Sequence, residues 1–284
     1  MMAVVELTED NLEQYADFVG MEDIENIGRE YYRGVVIIDD KDDPLSAGIW
    51  ELIHADKEEM DTQARIVCLK ANNDAEADKL LETCTLMFVN EDVKRSFFEM
   101  PVGKKGIKRE ILKNAGYEIK EAESSEIVCT IKDLLEMPPV RAGRPPSYVQ
   151  ELGNLMIRPF RRGVMDCVFR SNRELMEDLG SIPMSWFEQR VSGYVEINGR
   201  VSGFLLLHKT PAGRLKVEVF TALGNDVKKD LLHLMIFSLK QAEKYYDPDT
   251  QVVIRRTDED VKNLTDYLLP DVKGAKVLYG ERAG

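Results

Sequence analysis

The sequence is poor in the residues from which metal centres and disulfide frameworks are built. Its 284 residues include four cysteines and three histidines, and neither set shows the short spacings of a zinc site or a CxxC pair. The GxxxxGK[ST] phosphate loop, the GxSxG elbow and the HExxH motif are missing too. We therefore expect reduced, mostly buried thiols and no metal ion, and motif-bearing ATPases and hydrolases receive no support.

Long hydrophobic runs are also missing. No stretch approaches the roughly 18 apolar residues of a membrane span, and the start, MMAVVELTED, lacks the basic and apolar regions of a signal peptide. We expect a cytoplasmic protein that has no membrane partner. With 44% hydrophobic and 31% charged residues, the composition is typical of folded globular proteins, and the length suffices for two domains.

Charge is distributed unevenly along the chain, whose formal net charge is -13. Residues 1–140 contain 32 acidic and 16 basic residues, whereas residues 141–284 contain 19 acidic and 22 basic ones. Because the acidic half would repel phosphates, we expect no nucleic-acid partner. The change in charge between the two halves also predicts a domain boundary.

A proline-rich stretch lies at this boundary. Residues 136–154, EMPPVRAGRPPSYVQELGN, hold four of the eleven prolines, and Pro-Pro pairs favour an extended chain over a helix. We therefore predict an N-terminal domain over residues 1–136, a linker over 137–153 and a C-terminal domain over 154–284.

The predicted elements occur in the same order in both halves. Each half contains a strand, one or two helices, a hairpin, a further strand, a long helix, a strand, a short helix and a final strand. In the second half, LMIRPF is predicted as the first strand, and VMDCVFRSNRELMEDL and SWFEQRV as the helices. SAGIWEL (46–52) matches VSGFLLL (201–207), which places Gly48 over Gly203. Leu80-Leu81 likewise matches Leu231-Leu232 in the other long helix.

Two turns are predicted with particular clarity. Asn198-Gly199 between GYVEI and VSGFLLLHK is a strong hairpin signal. In ILKNAGYE, Gly116 is expected to end a helix in the left-handed conformation, and Tyr117 to begin a strand. The following segments, YEIKEA and SSEIVCTI, are predicted to pair and complete the first domain, as AKVLYG completes the second.

This order of elements resembles the Gcn5-related N-acetyltransferases (GNATs), as do three local pieces. These are the Gly-containing strands SAGIWEL and VSGFLLL, the long helices that open with Leu-Leu, and the Gly-aromatic helix end of ILKNAGYE. The resemblance implies a mixed α/β (α+β) fold of two tandem GNAT-like domains. Each would be a mostly antiparallel, twisted sheet with helices on both faces.

The resemblance also implies acetyl-CoA as co-substrate, bound at a loop before the long helix. In that loop, small residues let the backbone amides approach the pyrophosphate. Lys228 and Lys229 give the second loop positive charge, whereas Asp74 and Glu76 would repel phosphate at the first. The residues expected at the cofactor are Phe220, Ala222, Gly224, Asn225, Asp226, Val227, Lys228 and Lys229 in the second half, and Asn73, Ala75 and Ala77 in the first.

The implied reaction is direct attack of an amine on the acyl thioester. A general base takes a proton from the ammonium, a backbone N–H at the splayed strands stabilises the oxyanion, and an acid protonates the thiolate. Glu218, in LKVEVFTAL, is the candidate base. Alternation places it on one face with Lys216 and Phe220, and Val217 and Val219 on the other.

The family's usual acid, a tyrosine, is replaced by Leu112 in the first half unless Tyr117 or water substitutes. Tyr267 in the second half is therefore the candidate acid, or else a surface tyrosine of an amphipathic helix. His208 and His54 end matching strands and could be bases or half-buried structural residues. His233 is interpreted as a core residue.

Three hypotheses about the function remain open. The first is N-acetyl transfer to a primary amine of a small molecule or peptide, and MSWF (184–187) could line its acceptor pocket or pack in the core. The second is a catalytically inactive tandem module that binds acyl-CoA or a protein partner. A third is that the first domain alone binds ligand while the second mediates a homodimer.

Overall fold

The computed structural model describes residues 2–54, 60–102, 107–170, 179–256 and 259–284. Contacts divide the chain into two compact units, residues 1–124 with 275–284, and residues 125–274. The predicted domain limits, 1–136 and 154–284, stay a prediction. The two compact units differ from these limits in two segments. Residues 125–136 belong to the second unit and residues 275–284 to the first. None of the described helices is long and apolar enough to cross a bilayer.

A seven-stranded sheet forms the centre of the first unit. Its strands, in spatial order, are β1 (Ala3–Glu6), β2 (Tyr32–Ile38), β3 (Pro44–Ile53), β4 (Gln63–Ala71), β5 (Arg95–Pro101), β13 (Lys276–Ala283) and β6 (Glu118–Glu123). β4 and β5 are parallel, and the other neighbouring strands are antiparallel. The helices of this unit are α1 (Leu12–Val19), α2 (Met21–Ile24), α3 (Asp74–Asn90) and α4 (Arg109–Asn114).

The second unit has a six-stranded sheet. Its strands, in spatial order, are β7 (Glu126–Thr130), β12 (Gln251–Arg255), β11 (Leu215–Ala222), β10 (Arg200–Lys209), β9 (Gly193–Ile197) and β8 (Val149–Glu151). Here β11 and β12 form the parallel pair. The helices are α5 (Ile131–Glu136), α6 (Pro138–Ala142), α7 (Ile157–Arg170), α8 (Val227–Tyr245) and α9 (Glu259–Leu268), with 3-10 turns at Leu152–Asn154 and Met184–Trp186.

Both faces of each sheet are covered, which confirms the predicted mixed α/β architecture. Successive residues of a strand point to opposite faces. In β3, Ile49 packs in the cluster that contains Tyr15 of α1, whereas its neighbour Trp50 packs in the cluster that contains Leu80 of α3. In the second unit, one cluster contains α8 and α5 residues, and the other contains Phe160 of α7.

The two predicted turns are confirmed. Asn198 and Gly199 both have positive φ, 53° and 73°, between β9 and β10. Gly116 has φ 90° just after α4. The N–H of Tyr117 donates to the carbonyl of Leu112 at 3.0 Å, and the N–H of Gly116 to that of Lys113 at 2.9 Å. These two bonds form a Schellman cap, which only a residue tolerant of positive φ completes without strain.

The prediction that the first Pro-Pro pair is extended and excludes a helix was wrong, whereas the linker over 137–153 stays a prediction. Pro138 and Pro139 begin α6, where a missing N–H costs nothing because the first helical amides have no intrahelical partner. Val140 is fully buried in the second unit, and β8 is the edge strand of its sheet. Local burial therefore outweighs the extended preference of the prolines.

The prediction of a strand at LMIRPF was also wrong, because Ile157–Arg170 is the helix α7. Its buried residues Phe160, Val164 and Cys167 follow helical spacing, and Pro159 lies in the first turn, where proline is tolerated. The predicted helix over SWFEQRV is instead a single 3-10 turn at Met184–Trp186. Part of the predicted helix VMDCVFRSNRELMEDL, residues 171–178, lies outside the described residues.

The predicted pairing of β6 with β7 was wrong as well. β6 pairs with β13, and β7 pairs with β12 in the other sheet. The last strand, predicted to complete the second domain, lies instead between β5 and β6 of the first unit. β13 is hydrogen-bonded to both neighbours, so it joins β6 to the rest of the sheet.

Gly280 of β13 sits directly opposite Phe98, and we predict that Gly280→Val destabilises the first unit. A Cβ at this position would lie 2.1 Å from the Phe98 ring, which is fully buried and cannot withdraw. We expect a loss of about 1–3 kcal/mol in the free energy of unfolding, measured by denaturant titration. Phe98→Leu in the same background should recover part of that loss. A Gly280→Val variant as stable as the parent would contradict the prediction.

Candidate functional site

An extra residue interrupts the first strand of the parallel pair in each sheet. Between β3 and β4, the register passes from Ile49↔Cys68 to Trp50↔Ile66, which leaves Val67 without an opposite residue. Such an insertion is a β-bulge, which bends the strand and re-aims the following side chains.

The second sheet has the same insertion. Between β10 and β11, the register passes from Leu206↔Val219 to Leu207↔Val217, so Glu218 is the extra residue. Aligned on the bulges, Ile49 corresponds to Leu206. The predicted match of Gly48 with Gly203 was therefore displaced by two residues, because local sequence similarity carried no information about the ladder.

The parallel strands separate at these bulges. The β4–β5 ladder ends at Ile66↔Phe98, and the β11–β12 ladder ends at Val217↔Ile254, in each case one residue before the bulge. Within the described residues, β4 and β11 continue with no ladder partner on that edge. Their following backbone amides are therefore placed to bind a carbonyl or an oxyanion in the gap.

The bulge also corrects the predicted alternation in β11. Val217 packs against the cluster that contains Phe220, whereas Val219 belongs to the opposite cluster with Phe204. Val217 and Val219 therefore do not share a face, because Glu218 adds one residue and inverts the period of two. The prediction that Lys216 and Glu218 lie together holds, and Phe220 does not join them.

Glu218 lies in a half-buried ion pair. Its Oε1 is 2.9 Å from Lys216 Nζ, and the side chains of Glu218 and Lys216 are 7% and 21% exposed. The candidate base is thus present at the bulge, next to a cation.

An aromatic stack adjoins this pair. His208 is opposite Lys216 in the ladder, so the two side chains share a face. The imidazole is stacked on Trp186 with ring centres 3.6 Å apart and an interplanar angle of 4°. His208 Nδ1 lies 3.0 Å from the Trp186 carbonyl, which requires a proton on Nδ1. The stack fixes the orientation of the imidazole ring.

The residues predicted at the second cofactor loop are brought together at the end of β11 and the start of α8. Ala222 is buried, whereas Asn225, Lys228 and Lys229 are exposed. Asp226 caps α8, accepting from the N–H of Lys229 at 3.2 Å. Of the remaining predicted residues, Phe220 is buried, and Gly224 and Val227 are half-buried.

Sequence reasoning missed a buried polar cluster beneath this loop. Asp230 is 5% exposed, and its Oδ2 lies 2.4 Å from where a Cβ on Gly224 would stand. The Tyr148 hydroxyl is 3.3 Å from Asp230 Oδ1 and 2.5 Å from His233 Nδ1. Burial, reinforced by Asp230, raises the pKa of Tyr148. The apolar spacing of DLLHLMIF gave no sign of this network.

The interpretation of His233 as a core residue was wrong. Its imidazole is half-buried and bonded to Tyr148, because the ring lies at the edge of the packed face of α8. Desolvation of the imidazole lowers the pKa of His233, and the positive charge of Lys229 lowers it further.

The first unit offers a less favourable loop for an anion. Asn73 caps α3, accepting from the N–H of Glu76 at 3.1 Å, while Ala75 is exposed and Ala77 is buried. Asp74 pairs with Lys108 at 2.5 Å. Glu76 is 7% exposed, and its Oε2 has no hydrogen-bond partner among the described residues. A buried carboxylate in the first helical turn opposes binding of a phosphate.

The candidate acids differ in exposure. Tyr267 is 78% exposed on α9, and Leu112 is fully buried. Tyr117 lies in the core, where its hydroxyl shares a hydrogen bond with Ser96 at 3.0 Å. Burial raises the pKa of Tyr117 to about 12. The same burial keeps its hydroxyl away from the surface, where a thiolate would be protonated. His54 is buried at the end of β3.

Metal ligands are not gathered anywhere in the described part of the chain. No group of three or more His, Cys, Asp or Glu residues there is arranged to hold an ion. The four cysteines are buried free thiols, and burial raises the pKa of Cys84 to about 12.

Comparison by sequence found no relative, since no protein-family model and no curated protein matches the chain. Comparison of structures found many. A tandem GNAT protein from the clavulanic acid biosynthesis pathway aligns over 100% of this chain and 98% of its own, with a TM-score of 0.61 and 9% identity.

Other similar structures carry the same family name. A GCN5-related N-acetyltransferase from Anabaena variabilis aligns over 100% of this chain and 73% of its own, with a TM-score of 0.53 and 13% identity. One from Kribbella flavida aligns over 100% and 72%, with a TM-score of 0.52 and 11% identity. The chain therefore has a tandem GNAT fold.

Proposed function

We propose that this protein is an N-acyltransferase that moves an acetyl group from acetyl-CoA to a primary amine of a small molecule or peptide. The observation that carries the proposal is the bulge and strand separation in each sheet of the tandem GNAT fold, with a carboxylate at the second bulge. Acyl transfer needs a base beside amide donors that face the reacting carbonyl, and the position of Glu218 at the bulge supports it as that base.

Acetyl-CoA would supply the acetyl group as a thioester, whose C–S bond breaks as the amine nitrogen bonds to the carbonyl carbon. Glu218 would take the proton that the attacking ammonium must lose. Amides beyond the β11 bulge would stabilise the oxyanion. In this proposal Tyr267 returns a proton to the leaving thiolate, which requires the bound cofactor to reach its exposed position on α9.

Charge supports the second unit as the cofactor site. Lys228 and Lys229 are exposed at the start of α8, where the helix dipole also favours an anion. In the first unit the first turn of α3 carries the acidic residues Asp74 and Glu76, and the bulge residue is Val67. The acetyl group would therefore be transferred at the second bulge.

A second candidate function is a non-catalytic module that binds acyl-CoA or a protein. Two observations favour it. The first bulge has no ionisable side chain, and in the second loop the Asp230 carboxylate stands against Gly224, where a pyrophosphate would approach the backbone. Binding without turnover would distinguish this function from catalysis.

Replacement of the base should separate the two functions. We expect Glu218→Gln to lower kcat at neutral pH by about 100-fold or more, because general-base catalysis contributes roughly 10²–10⁴. The dissociation constant for acetyl-CoA should stay within about twofold, since the carboxylate does not bind the cofactor. Release of the CoA thiol measures turnover, and calorimetry measures binding.

Glu196→Gln on β9 is the matched control, because it removes the same charge from another strand of the same sheet. It should leave kcat unchanged. Equal turnover by Glu218→Gln and the parent would sink the assignment of Glu218 as the base.

The cofactor site has its own test. We expect Lys228→Gln/Lys229→Gln to weaken acetyl-CoA binding by about five- to tenfold at low salt, because each exposed charge contributes up to roughly 1 kcal/mol. The difference should shrink as salt screens the charges. The parent should gain roughly 2.7 kcal/mol of stability at 100 times the dissociation constant, seen as a thermal shift.

Lys240→Gln/Lys244→Gln is the control for this test, since it removes the same charge near the other end of α8. Equal losses in the two double variants would show that net charge, and not the α8 start, governs binding. No thermal shift in the parent would exclude an acetyl-CoA site.

A further inference from the structure

The environment of Glu218 raises a chemical difficulty for a simple amine acceptor. The carboxylate is 7% exposed, and Lys216 Nζ lies 2.9 Å from its Oε1. An incoming ammonium would have to share one carboxylate with this cation, and two like charges would then meet in a half-buried site.

An acceptor that carries its own carboxylate removes this difficulty. Its carboxylate would bind Lys216 while its ammonium binds Glu218, so that opposite charges alternate around four groups. In an amino acid these two groups are attached to one carbon. That spacing suits a cation and an anion that are themselves 2.9 Å apart.

The neighbouring stack gives such an acceptor a wall. His208 lies opposite Lys216 and is held flat against Trp186, with ring centres 3.6 Å apart. The Nδ1 contact to the Trp186 carbonyl, 3.0 Å long, prevents the imidazole from turning. Trp186 also packs against the cluster that contains Val219, which follows the bulge. The wall therefore adjoins the ion pair and the reacting strand.

The first unit lacks this arrangement. The positions that correspond to His208, Lys216 and Glu218 are Glu51, Arg65 and Val67. Glu51 and Arg65 form a half-buried ion pair with each other, and the bulge side chain cannot take a proton. The set of base, cation and aromatic wall belongs to the second unit.

We infer that the acceptor is an α-amino acid, whose carboxylate binds Lys216 and thereby releases Glu218 to act as the base. The inference rests on the function proposed above and names its acceptor class. Lys216 is then a specificity-determining residue. Because the acceptor carboxylate frees the base, its loss should lower kcat as well as raise KM.

The test compares amino acids with the amines that result from their decarboxylation. Suitable pairs are histidine with histamine, tryptophan with tryptamine, and phenylalanine with phenethylamine, each assayed with acetyl-CoA by release of the CoA thiol. For at least one pair, we expect kcat/KM for the amino acid to exceed that for the amine by more than tenfold. A dipeptide with the same N-terminal residue should react more like the amine.

Lys216→Met should bring the amino acid and amine close to equal, by slowing the first and speeding the second. Lys216→Arg keeps the cation and should retain most of the preference, which guards against a fold defect in the Met variant. Lys209→Met is the matched control, because this lysine lies one residue after His208, with its Nζ 5.9 Å from the Tyr246 ring centre. It should leave the preference unchanged.

Failure of the inference and of the proposed function look different. Amines or dipeptides that react as well as the amino acids, or a preference that survives Lys216→Met, overturn the inference alone. If no acceptor releases CoA thiol, the proposed acyltransferase activity is overturned, and the inference with it.

Discussion

The single extra residue in β4 and in β11 is the constraint on which the candidate site depends. A strand has a period of two, so one inserted residue reverses which side chains face each helix layer. In β11 this places Val217 and Phe220 in one cluster and Val219 in the other, while Glu218 stays beside Lys216. The parallel ladder ends one residue earlier. Backbone amides and a carboxylate thus meet at one point of the sheet.

The inserted residue differs in its chemistry between the two units. At the first bulge the residue is Val67, and the position of the expected acid is filled by Leu112, which is fully buried. The geometry that separates the strands is retained there without groups that move protons. In the proposed reaction, proton transfer would therefore depend on the second unit.

Local features of the fold were predictable from the sequence, and non-local ones were not. Asn198-Gly199 and Gly116 have backbone conformations that their own chemistry dictates. By contrast, β13 pairs with strands more than 150 residues away in sequence, and no local pattern identifies that partner. The proline-rich segment failed for a related reason, because burial of Val140 and the tolerance of proline at a helix start decided its conformation.

The candidate site shows the same division. Glu218 and the charged start of α8 could be chosen by residue type and position. The bulge could not, because it is a mismatch of register between two strands and not a property of either one. Asp230 was missed because a carboxylate one helical turn after Asp226 reads as a solvated residue, whereas the structure buries it beneath Gly224 with Tyr148.

Stability and catalysis make opposite demands on Lys216. A carboxylate as buried as Glu218 costs free energy unless a cation or hydrogen-bond donors compensate it. Lys216 supplies that compensation, and by the same interaction it occupies the carboxylate to which an attacking ammonium would bind. An acceptor that offers a carboxylate to Lys216 satisfies both demands, because it keeps the cation paired while the base becomes accessible to the ammonium. Under this proposal, the ion pair that stabilises the resting fold would also select the acceptor.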